Sequence, residues 1–341
     1  MSTERIQLHY DTLQQKWTIF VHKPSIHGIQ ERVKKVYWGA KKTPLSLYIR
    51  FNTKQDAKET ITCHALLDKQ GKNLYIHPLI GILTSSKAGR PFGGSISNFI
   101  DIIRAAQTKG AIVFVFTPKT VNWQAEKIKG YLYQPKTKQW KACLFPFPNV
   151  VYNRIPTREQ ERTPESMDCI QKLMKVPNLT LFNPHFFNKF ELYQLLKQDP
   201  LLKKHLPETI ALKSASDLEY MLNKHRDVYL KPTKGKAGAG IMRVVQSGSN
   251  QYLLFVQGKN SLRKIVCTSI PDVLSKVKTY GMVSPYIVQQ GIRLTKINRC
   301  PFDFRVLVQK NRQGQWEVAG LGMRVAGVNR ITTHVPRGGR I

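Results

Sequence analysis

The stretch VYLKPTKGKAGAGIMRVV, residues 228–245, combines lysines and glycines in an arrangement that suits the binding of phosphate. A β-branched and aromatic run ends at Lys231, a loop of lysines and glycines follows, and a second apolar run then begins. Glycine lets the backbone approach a phosphate closely and offer its N–H groups to it. The pattern therefore predicts a hairpin in which Lys231 reaches phosphate oxygens from its strand, while Lys234 and Lys236 add positive charge from the loop.

Neither common phosphate-binding motif fits this loop. A Walker A loop has the order G-x-x-x-x-G-K-[ST] and opens a helix. The order here is G-K-A-G-A-G, without Ser or Thr, and the strand-like IMRVV follows it. A Rossmann fingerprint also opens a helix, and Gly235, Gly238 and Gly240 show the reverse of its spacing. A glycine-rich hairpin between antiparallel strands remains, and an ordinary lysine-bearing hairpin without a ligand is the alternative.

Basic residues dominate the charge of the 341-residue chain. It contains 54 Lys and Arg against 21 Asp and Glu, which gives a formal net charge of +33. The basic residues are spread along the whole chain rather than gathered in a tail, which favours a generally basic surface. We expect such a surface to bind polyanions non-specifically, and dedicated nucleic-acid binding is the alternative that this charge leaves open.

Several other classes of protein are excluded by residue spacing. The five cysteines form no C-x-x-C pair and the nine histidines show no zinc spacing, so we expect reduced thiols in a cytosol-like compartment. GGSIS at residues 93–97 departs from the G-x-S-x-G elbow at its last position, which argues against a hydrolase. The chain begins with polar residues, and none of its apolar runs approaches the length of about 20 residues that spans a bilayer. We therefore expect neither a secretory signal nor membrane insertion.

The periodicity of apolar residues divides the chain into three predicted domains. Residues 1–78 consist of short alternating segments separated by turns, which predict a β-rich domain. Residues 79–180 repeat the order strand, helix, strand, which predicts a small parallel α/β domain. Its loop AGRPFGG at residues 88–94 could bind an anion at the start of a helix, or could be a plain loop. Residues 181–341 form the third predicted domain.

Two helices are predicted in this third domain before the lysine strand. The first covers residues 188–197 and the second residues 217–224, with Ser216 or Asp217 as the N-cap of the second. Strands are predicted for DVYLK, IMRVV, QYLLFVQ, YIVQQGI, FDFRVLVQK and WEVAGLGMRVA.

The order of motifs around the glycine loop resembles that of the ATP-grasp superfamily. NPHFFNK at residues 183–189 precedes a helix, Lys231 and its loop come next, and YIVQQGI, FDFR, GLGMRVA and THVPRGG follow. More narrowly, the chain resembles the YheC/YheD family, ATP-grasp proteins associated with bacterial endospore coats. The stretches that carry this resemblance cover most of the chain from residue 80 onwards: PFGGSISNFI, FPFPNVVYNRIPTREQE, LFNPHFFNKFELYQLL, LPET, VYLKPTKGKAGAGI, YIVQQGI and FDFRVLVQKNRQGQWEVAGLGMRVA.

The resemblance implies ATP as the cofactor and indicates which residues hold its phosphates. Lys189 and Lys231 are similar to the paired ATP-grasp lysines that bind nucleotide phosphates. Residues 235–240, with Gly238 and Gly240, resemble the flexible lid that closes over those phosphates. A nucleotide is therefore the expected partner.

The resemblance also implies a hinge that recognises adenine. Residues 289–292, with Gln289 and Gln290, resemble the hinge whose backbone bonds the edge of the adenine. Ile292 is similar to the residue that packs on the adenine ring.

A further set of residues resembles the part of the family's site where the γ-phosphate and the acceptor meet. Asp303 and Arg305 resemble a D-x-R element, in which Asp303 orients and Arg305 contacts phosphate or an acyl phosphate. Arg324 is similar to the arginine that enters this site from the next strand. Residues 333–339 resemble the loop that closes over it. The expected catalytic residues are Arg305 and Arg324.

The chain departs from the family pattern at the magnesium ligands. ATP-grasp ligases form an acyl phosphate from a carboxylate and ATP, and magnesium neutralises the charge that develops. In the superfamily its ligands are an Asp or Glu and a Glu-x-Asn pair downstream. After Asp227 this sequence has only Asp272, Asp303 and Glu317 as acids, none of them in a Glu-x-Asn. Mg²⁺ is therefore expected for the family, with ligands that this chain does not contain.

These observations predict an α/β chain with an ATP-grasp fold, incomplete at its C-terminus, after a small parallel α/β domain and a β-rich N-terminal domain. The expected function is ATP binding related to carboxylate–amine or carboxylate–thiol ligases, with unidentified substrates and a cytoplasmic or spore-coat location. A non-catalytic basic scaffold, or a coat protein that binds polyanions, is the alternative. A fragment, an interrupted reading frame and a degenerate paralogue would each explain the early end.

Overall fold

The computed structural model describes residues 3–21, 36–41, 43–45, 49–51, 60–70, 73–235, 238–258, 261–280, 285–328 and 330–341. The chain divides into two compact units, Met1–Phe186 and Phe187–Ile341. The division of the chain into three domains stays a prediction.

The first sheet of the unit Met1–Phe186 is built from seven strands close to the N-terminus. They are β1 (Thr3–Asp11), β2 (Lys16–Val21), β3 (Val36–Trp38), β4 (Thr43–Leu45), β5 (Ile49–Phe51), β6 (Thr60–Gln70) and β7 (Asn73–His77). Their order across the sheet is β4-β3-β7-β6-β1-β2-β5. Ile6, Leu8 and Tyr10 are buried on one face of β1 and alternate with more exposed neighbours, as expected for a strand with one face in the core.

The second sheet of this unit contains the predicted repeats of strand, helix and strand. Its strands are β8 (Leu79–Leu83), β9 (Ile112–Phe116), β10 (Val121–Asn122), β11 (Lys127–Gln134), β12 (Gln139–Pro146), β13 (Val150–Asn153) and β14 (Thr180–Phe182). Its helices are α1 (Ile96–Thr108), α2 (Arg158–Glu161) and α3 (Pro164–Met174), with a short 3₁₀ helix at Pro118–Thr120. β9, β8, β13 and β14 are neighbours and run parallel, as crossover connections require. The antiparallel hairpin of β11 and β12 is not among the predicted elements.

One hydrophobic cluster is shared by the two sheets of this unit. Trp17 of β2 lies with its ring centroid 5.2 Å from that of Trp38 and 5.3 Å from that of Phe145, which belongs to β12. The Trp17 indole N–H also donates to the backbone carbonyl of Leu144 at 2.8 Å. Aromatic packing and this hydrogen bond therefore hold the N-terminal sheet against the second sheet.

The unit Phe187–Ile341 is organised around a six-stranded antiparallel sheet. Its strands are β15 (Thr209–Leu212), β16 (Asp227–Pro232), β17 (Met242–Gln246), β18 (Tyr252–Gln257), β19 (Leu262–Cys267) and β20 (Tyr286–Gln290), in the order β15-β20-β16-β17-β18-β19. Its helices are α4 (Lys189–Lys197), α5 (Pro200–Lys203), α6 (Ala215–His225) and α7 (Ile270–Thr279). Side chains of α6 and α7 form a buried cluster with Val228 and Leu230 of β16. Because side chains alternate along a strand, Tyr229 and Lys231 lie on the opposite face.

The start of α6 differs from the prediction. We expect Ser216 or Asp217 as the N-cap, and in the structure the N-cap is Ser214. Asp217 occupies the third helical position, and its carboxylate accepts hydrogen bonds from the backbone N–H and the hydroxyl of Ser214 at 2.7 and 2.9 Å. The prediction was wrong because a capping box places the acidic residue inside the helix rather than at its cap.

A three-stranded antiparallel sheet completes this unit. It contains β21 (Lys296–Ile297), β22 (Cys300–Lys310) and β23 (Trp316–Val325), and a 3₁₀ helix follows at Val335–Arg337. Asp303 pairs with Arg324 and Arg305 pairs with Gly322 in the register of β22 and β23. Asp303, Arg305 and Arg324 therefore share one face of this sheet.

Candidate functional site

Lys231 lies near the end of β16 and belongs to a row of polar side chains that crosses three strands. Gln289 of β20 pairs with Thr209 of β15 on one side and with Tyr229 of β16 on the other. Lys231 follows Tyr229 by two residues, so it is a diagonal neighbour of Gln289 on the same face of the sheet. The strand register thus brings together side chains that lie far apart in the sequence.

The ammonium group of Lys231 is a half-buried cation with a neutral partner. Its Nζ donates to Gln289 Oε1 and lies 5.4 Å from the ring centroid of Tyr229. Burial and, to a smaller extent, the charge of Lys189 together lower the pKa of Lys231 to about 8. Among the described residues no carboxylate forms an ion pair with it. The positive charge is therefore available to an anion.

Lys189 connects the start of α4 to the base of the glycine loop. Asn188 caps this helix, and its side-chain oxygen accepts a hydrogen bond from the Phe190 N–H at 2.8 Å. The Lys189 ammonium donates to the carbonyl oxygens of Pro232 and Gly235, both at 2.9 Å. Lys189 therefore places a second cation beside Lys231 while it holds the first residues of the loop.

The glycine loop joins β16 and β17, which pair in an antiparallel hairpin as predicted. Gly238 and Gly240 have φ of 74° and 71°, in the left-handed region that glycine adopts without strain. A Cβ atom at Gly240 would lie 2.9 Å from the Tyr286 hydroxyl, which donates to the Gly240 carbonyl at 2.9 Å. Lys234 is exposed. Lys236, a predicted phosphate contact, lies outside the described residues.

The segment that ends β20 is fixed by hydrogen bonds from neighbouring strands. The Gln290 N–H donates to the Glu208 carbonyl at 2.8 Å, and the Gln290 side-chain oxygen accepts from the Glu208 N–H at 3.1 Å. The Gly291 N–H donates to the Asp227 carbonyl at 2.8 Å. Ile292, which follows, exposes 56% of its side-chain surface at the rim of the cleft.

A compact network joins β22, β23 and the segment after them. The Arg324 guanidinium donates to both carboxylate oxygens of Asp303, at 3.1 and 3.0 Å, and to the Thr333 hydroxyl at 2.9 Å. Thr333 in turn donates to Asp303 at 2.7 Å. Arg305 is more exposed, and its Nε lies 3.6 Å from Asp303. Arg324 is therefore engaged within the protein, whereas most of the Arg305 guanidinium faces solvent.

Two adjoining cavities, of about 230 and 310 Å³, bring most of the predicted site residues together. Both are lined by Lys231, Ile241, Gln289 and His334, so they form one cleft. The larger cavity adds Lys189, Leu192, Gly235, Gly238, Ala239 and Ile287. The smaller adds Tyr229, Gln290, Ile292, Leu294, Asp303, Arg305 and residues 331–333.

Three predicted residues stand apart from this lining. Lys234 is exposed on the loop, and Gly240 lines a different cavity of about 310 Å³. Arg324 reaches the cleft only through its contacts with Asp303 and Thr333. Tyr229 was not predicted as a site residue, although its position two residues before Lys231 places it on the same face. Thr209 was not predicted as a site residue either, although it is the last residue of the stretch LPET.

The described residues do not provide a magnesium site. Among them, no group of three or more His, Cys, Asp and Glu side chains could hold a metal ion. Asp303 supplies a carboxylate to the smaller cavity, and both of its oxygens already accept hydrogen bonds from Arg324. Magnesium at nucleotide sites is usually held by one or two carboxylates together with phosphates, and Asp303, engaged by Arg324, does not fit that role.

Comparisons with known proteins identify the family of this chain. Residues 178–341 match the YheC/D like ATP-grasp family. The chain is 30% identical over 271 residues to the endospore coat-associated protein YheD of Bacillus subtilis (strain 168), which covers 79% of this chain and 59% of that protein. The chain belongs to the YheC/YheD family of ATP-grasp proteins. The second relative, endospore coat-associated protein YheC of the same strain, is 21% identical over 226 residues, 66% of this chain and 61% of that protein.

Family membership confirms the resemblance and the α/β ATP-grasp fold predicted from the sequence. The chain spans about three fifths of the length of both relatives. Among solved structures, D-alanyl-alanine synthetase A from Vibrio cholerae O1 biovar eltor aligns with a TM-score of 0.39 and 12% identity, over 73% of this chain and 68% of that chain. In the described part of the chain, no helix has the length and apolar character needed to cross a membrane.

Proposed function

We propose that the unit Phe187–Ile341 binds ATP in the cleft around Lys231. The observation that carries this proposal is the half-buried Lys231 ammonium, which has a neutral partner in Gln289 and a second cation, Lys189, beside it. A cleft with two lysines and no ion-paired carboxylate on Lys231 attracts an anion strongly, because the low dielectric of the site strengthens the interaction. Membership of the ATP-grasp superfamily supports a nucleotide as that anion.

In the proposed complex the phosphates lie between the two lysines and the glycine loop. Lys231 contacts phosphate oxygens from β16, and Lys189 contacts them from the start of α4. Gly238 lines the same cavity with a left-handed backbone, and its lack of a side chain would let the phosphates approach the main chain. Arg305, whose guanidinium is largely free of protein contacts, approaches from β22.

The base lies in the smaller cavity, which has apolar walls. Tyr229, Ile241, Ile292 and Leu294 line it and suit the faces of a purine ring. The N–H groups of Gln290 and Gly291 are already bonded to the carbonyls of Glu208 and Asp227. None of the described residues accepts a hydrogen bond from the Ile292 N–H. The edge of the base is therefore recognised by the Ile292 N–H.

The reaction class that the family supports is activation of a carboxylate by ATP for attack by an amine or a thiol. In this chain Arg305 would contact the transferring phosphoryl group, and Arg324 would hold Asp303 and Thr333 in place beside it. The carboxylate and the acceptor are unidentified, and no step is assigned to magnesium because the described residues do not fit it. The names of YheD and YheC support association with the endospore coat.

Isothermal titration of ATP into three proteins tests nucleotide binding: the unmodified chain, Lys231→Ala and Lys264→Ala. Lys264 is exposed on β19 of the same sheet, so its replacement removes the same charge without touching the cleft. A charge-assisted contact contributes ~1.5–3 kcal/mol, so Lys231→Ala is expected to weaken binding by about tenfold or more. Lys264→Ala should bind as the unmodified chain does. Equal affinities in all three proteins would remove Lys231 from the site.

A further inference from the structure

We infer that Gln289 is a positioning residue: its side chain, fixed by Thr209, holds the Lys231 ammonium toward the cleft without neutralising its charge. The inference rests on the proposed nucleotide site. It concerns, however, a contact within the protein that can be measured without any nucleotide.

The orientation of the Gln289 amide follows from the single proton of the Thr209 hydroxyl. That proton is donated to the Pro207 carbonyl at 2.9 Å. Toward Gln289 the hydroxyl can then only accept, and Gln289 Nε2 donates to it at 2.8 Å. The amide oxygen is consequently turned away from Thr209 and toward Lys231, where it accepts from Nζ at 2.5 Å. Three consecutive hydrogen bonds thus fix both the amide and the ammonium.

Burial makes this arrangement rigid. Thr209 is 3% exposed, and its backbone pairs with that of Gln289 across β15 and β20. Lys231 and Gln289 are anchored on neighbouring strands of the same sheet. The Lys231 side chain is therefore held in one orientation before any ligand binds, which lowers the entropy cost of binding an anion.

The neutral amide of Gln289 also affects the charge of Lys231 differently from a carboxylate at the same position. A carboxylate at position 289 would form an ion pair with Lys231, raise its pKa and cancel its attraction for an anion. The neutral amide satisfies one N–H of the ammonium and leaves its charge uncompensated. The other titratable or charged side chains that line the cleft are Lys189 of α4, Tyr229 of β16, Asp303 and Arg305 of β22, and His334. Of these, the one carboxylate, Asp303, is bonded to Arg324.

The first test is a titration of the Lys231 amine by NMR of the nucleotide-free protein, with ¹³C-labelled lysine and assignment by Lys231→Arg. The unmodified chain should show a midpoint at about 8. Gln289→Glu should raise the midpoint by about one unit or more, because a carboxylate favours the ammonium form. Gln289→Met and Thr209→Val should lower it, because the amide oxygen is removed or no longer fixed. Thr209→Ser retains the hydroxyl and should restore the original midpoint. One common midpoint for all variants would overturn the inference.

The second test is the affinity of the same proteins for ADP at pH 7 and pH 9. Gln289→Met and Thr209→Val should weaken binding at pH 7 by roughly tenfold and threefold, while Thr209→Ser stays within twofold of the unmodified chain. Gln289→Glu should bind weakly at both values, with little change between them. If the unmodified chain binds ADP and all variants match it, Gln289 does not position Lys231. If no protein binds ADP, the proposed nucleotide binding fails, and the NMR midpoints still decide the role of Gln289.

Folding of each variant is checked by circular dichroism and thermal unfolding. Should Gln289→Met fail to fold, the pair Thr209→Val and Thr209→Ser decides the question, because the two differ in one hydroxyl group. If Gln289 has only a structural role, its replacement should change the unfolding temperature and leave the titration midpoint of the Lys231 amine unchanged. That result would overturn the inference.

Discussion

Asp303 and Arg324 face each other across β22 and β23 and share two hydrogen bonds, 3.1 Å from Nε to Oδ1 and 3.0 Å from Nη2 to Oδ2. Their side chains are 29% and 15% exposed, so the pair is partly removed from water. The Thr333 hydroxyl bonds to both of them. Because residues 331–334 line the cleft, this ion pair fixes one wall of the candidate site.

We expect strong energetic coupling between Asp303 and Arg324. A bidentate, partly buried pair is stronger than an ion pair on the surface, and the loss of one partner leaves the other charge without compensation. In a double-mutant cycle of Asp303→Asn and Arg324→Met, the coupling free energy should be about 1–3 kcal/mol by urea unfolding.

Asp168 and Lys172 provide the matched control, because they form an exposed ion pair at helical spacing with side chains 55% and 50% exposed. The same cycle on this pair should give a coupling of about 0.5 kcal/mol or less. Equal coupling at the two pairs would contradict the anchoring role of Asp303.

Replacement of Lys231 by Met should stabilise the protein while it weakens nucleotide binding. The pKa of Lys231 falls from 10.5 to about 8 because of burial and then Lys189, so the folded state resists its protonation. Between these two values the unfolded chain binds more protons, and the free energy of unfolding therefore rises with pH. Below pH 8 the cost of the buried charge is present in full. Lys231→Met should raise the free energy of unfolding by about 1–3 kcal/mol at pH 7, measured by urea denaturation.

The pH dependence distinguishes this effect from better packing. In the unmodified chain the stability gained between pH 8 and pH 10.5 should exceed that in Lys231→Met, because the variant lacks the titrating group. Lys264→Met, on an exposed position of β19, should change stability by about 0.5 kcal/mol or less. A lower free energy of unfolding for Lys231→Met at pH 7 would show that the charge of Lys231 does not destabilise the folded state.

The strands and the hairpin around Lys231 were predictable because the information is local. Alternation along DVYLKP places Val228 and Leu230 in the core and leaves Lys231 on the other face. The glycines at 238 and 240 carry positive φ, as a tight connection between antiparallel strands requires. The motif order of the family supplied the roles expected of Asp303 and Arg324, and the structure adds that the two residues pair across β22 and β23.

Partners from distant strands were not predictable. Thr209 reaches Gln289 because β15 pairs with β20, a contact across 80 residues of sequence that no local pattern encodes. The engagement of Arg324 by Asp303 likewise depends on a register between two strands. The hairpin of β11 and β12 was missed for another reason: Tyr131, Leu132 and Tyr133 are consecutive apolar residues in β11, so periodicity alone detects this strand poorly.

Gly240→Ala should destabilise the protein more than Gly314→Ala. Both glycines have positive φ, 71° and 78°, so each substitution carries the strain of a left-handed residue, about 1 kcal/mol. At Gly240 the added Cβ would also lie 2.9 Å from the Tyr286 hydroxyl, whereas nothing lies within 4 Å at Gly314. The clash would weaken the bond from Tyr286 to the Gly240 carbonyl.

The expected difference in the free energy of unfolding between these two variants is about 1 kcal/mol, measured by thermal or urea unfolding. Gly240→Ala should also reduce ATP affinity, because the glycine loop between β16 and β17 is displaced, while Gly314→Ala in the turn between β22 and β23 leaves it unchanged. Equal destabilisation by the two substitutions would show that the contact with Tyr286 has no energetic role.

The net charge of +33 should produce binding to polyanions that is non-specific and sensitive to salt. Lys and Arg are spread along the chain, and each contact with a phosphate releases counterions, so log K should fall with log salt by about 0.9 per contact on duplex DNA. Titration of two unrelated duplexes at several salt concentrations measures this slope and any sequence preference. Lys231→Ala should leave the slope unchanged within one contact, because the residue is half-buried in the cleft. Nanomolar affinity that survives physiological salt, or a large preference for one sequence, would contradict a diffuse basic surface and favour a dedicated nucleic-acid site.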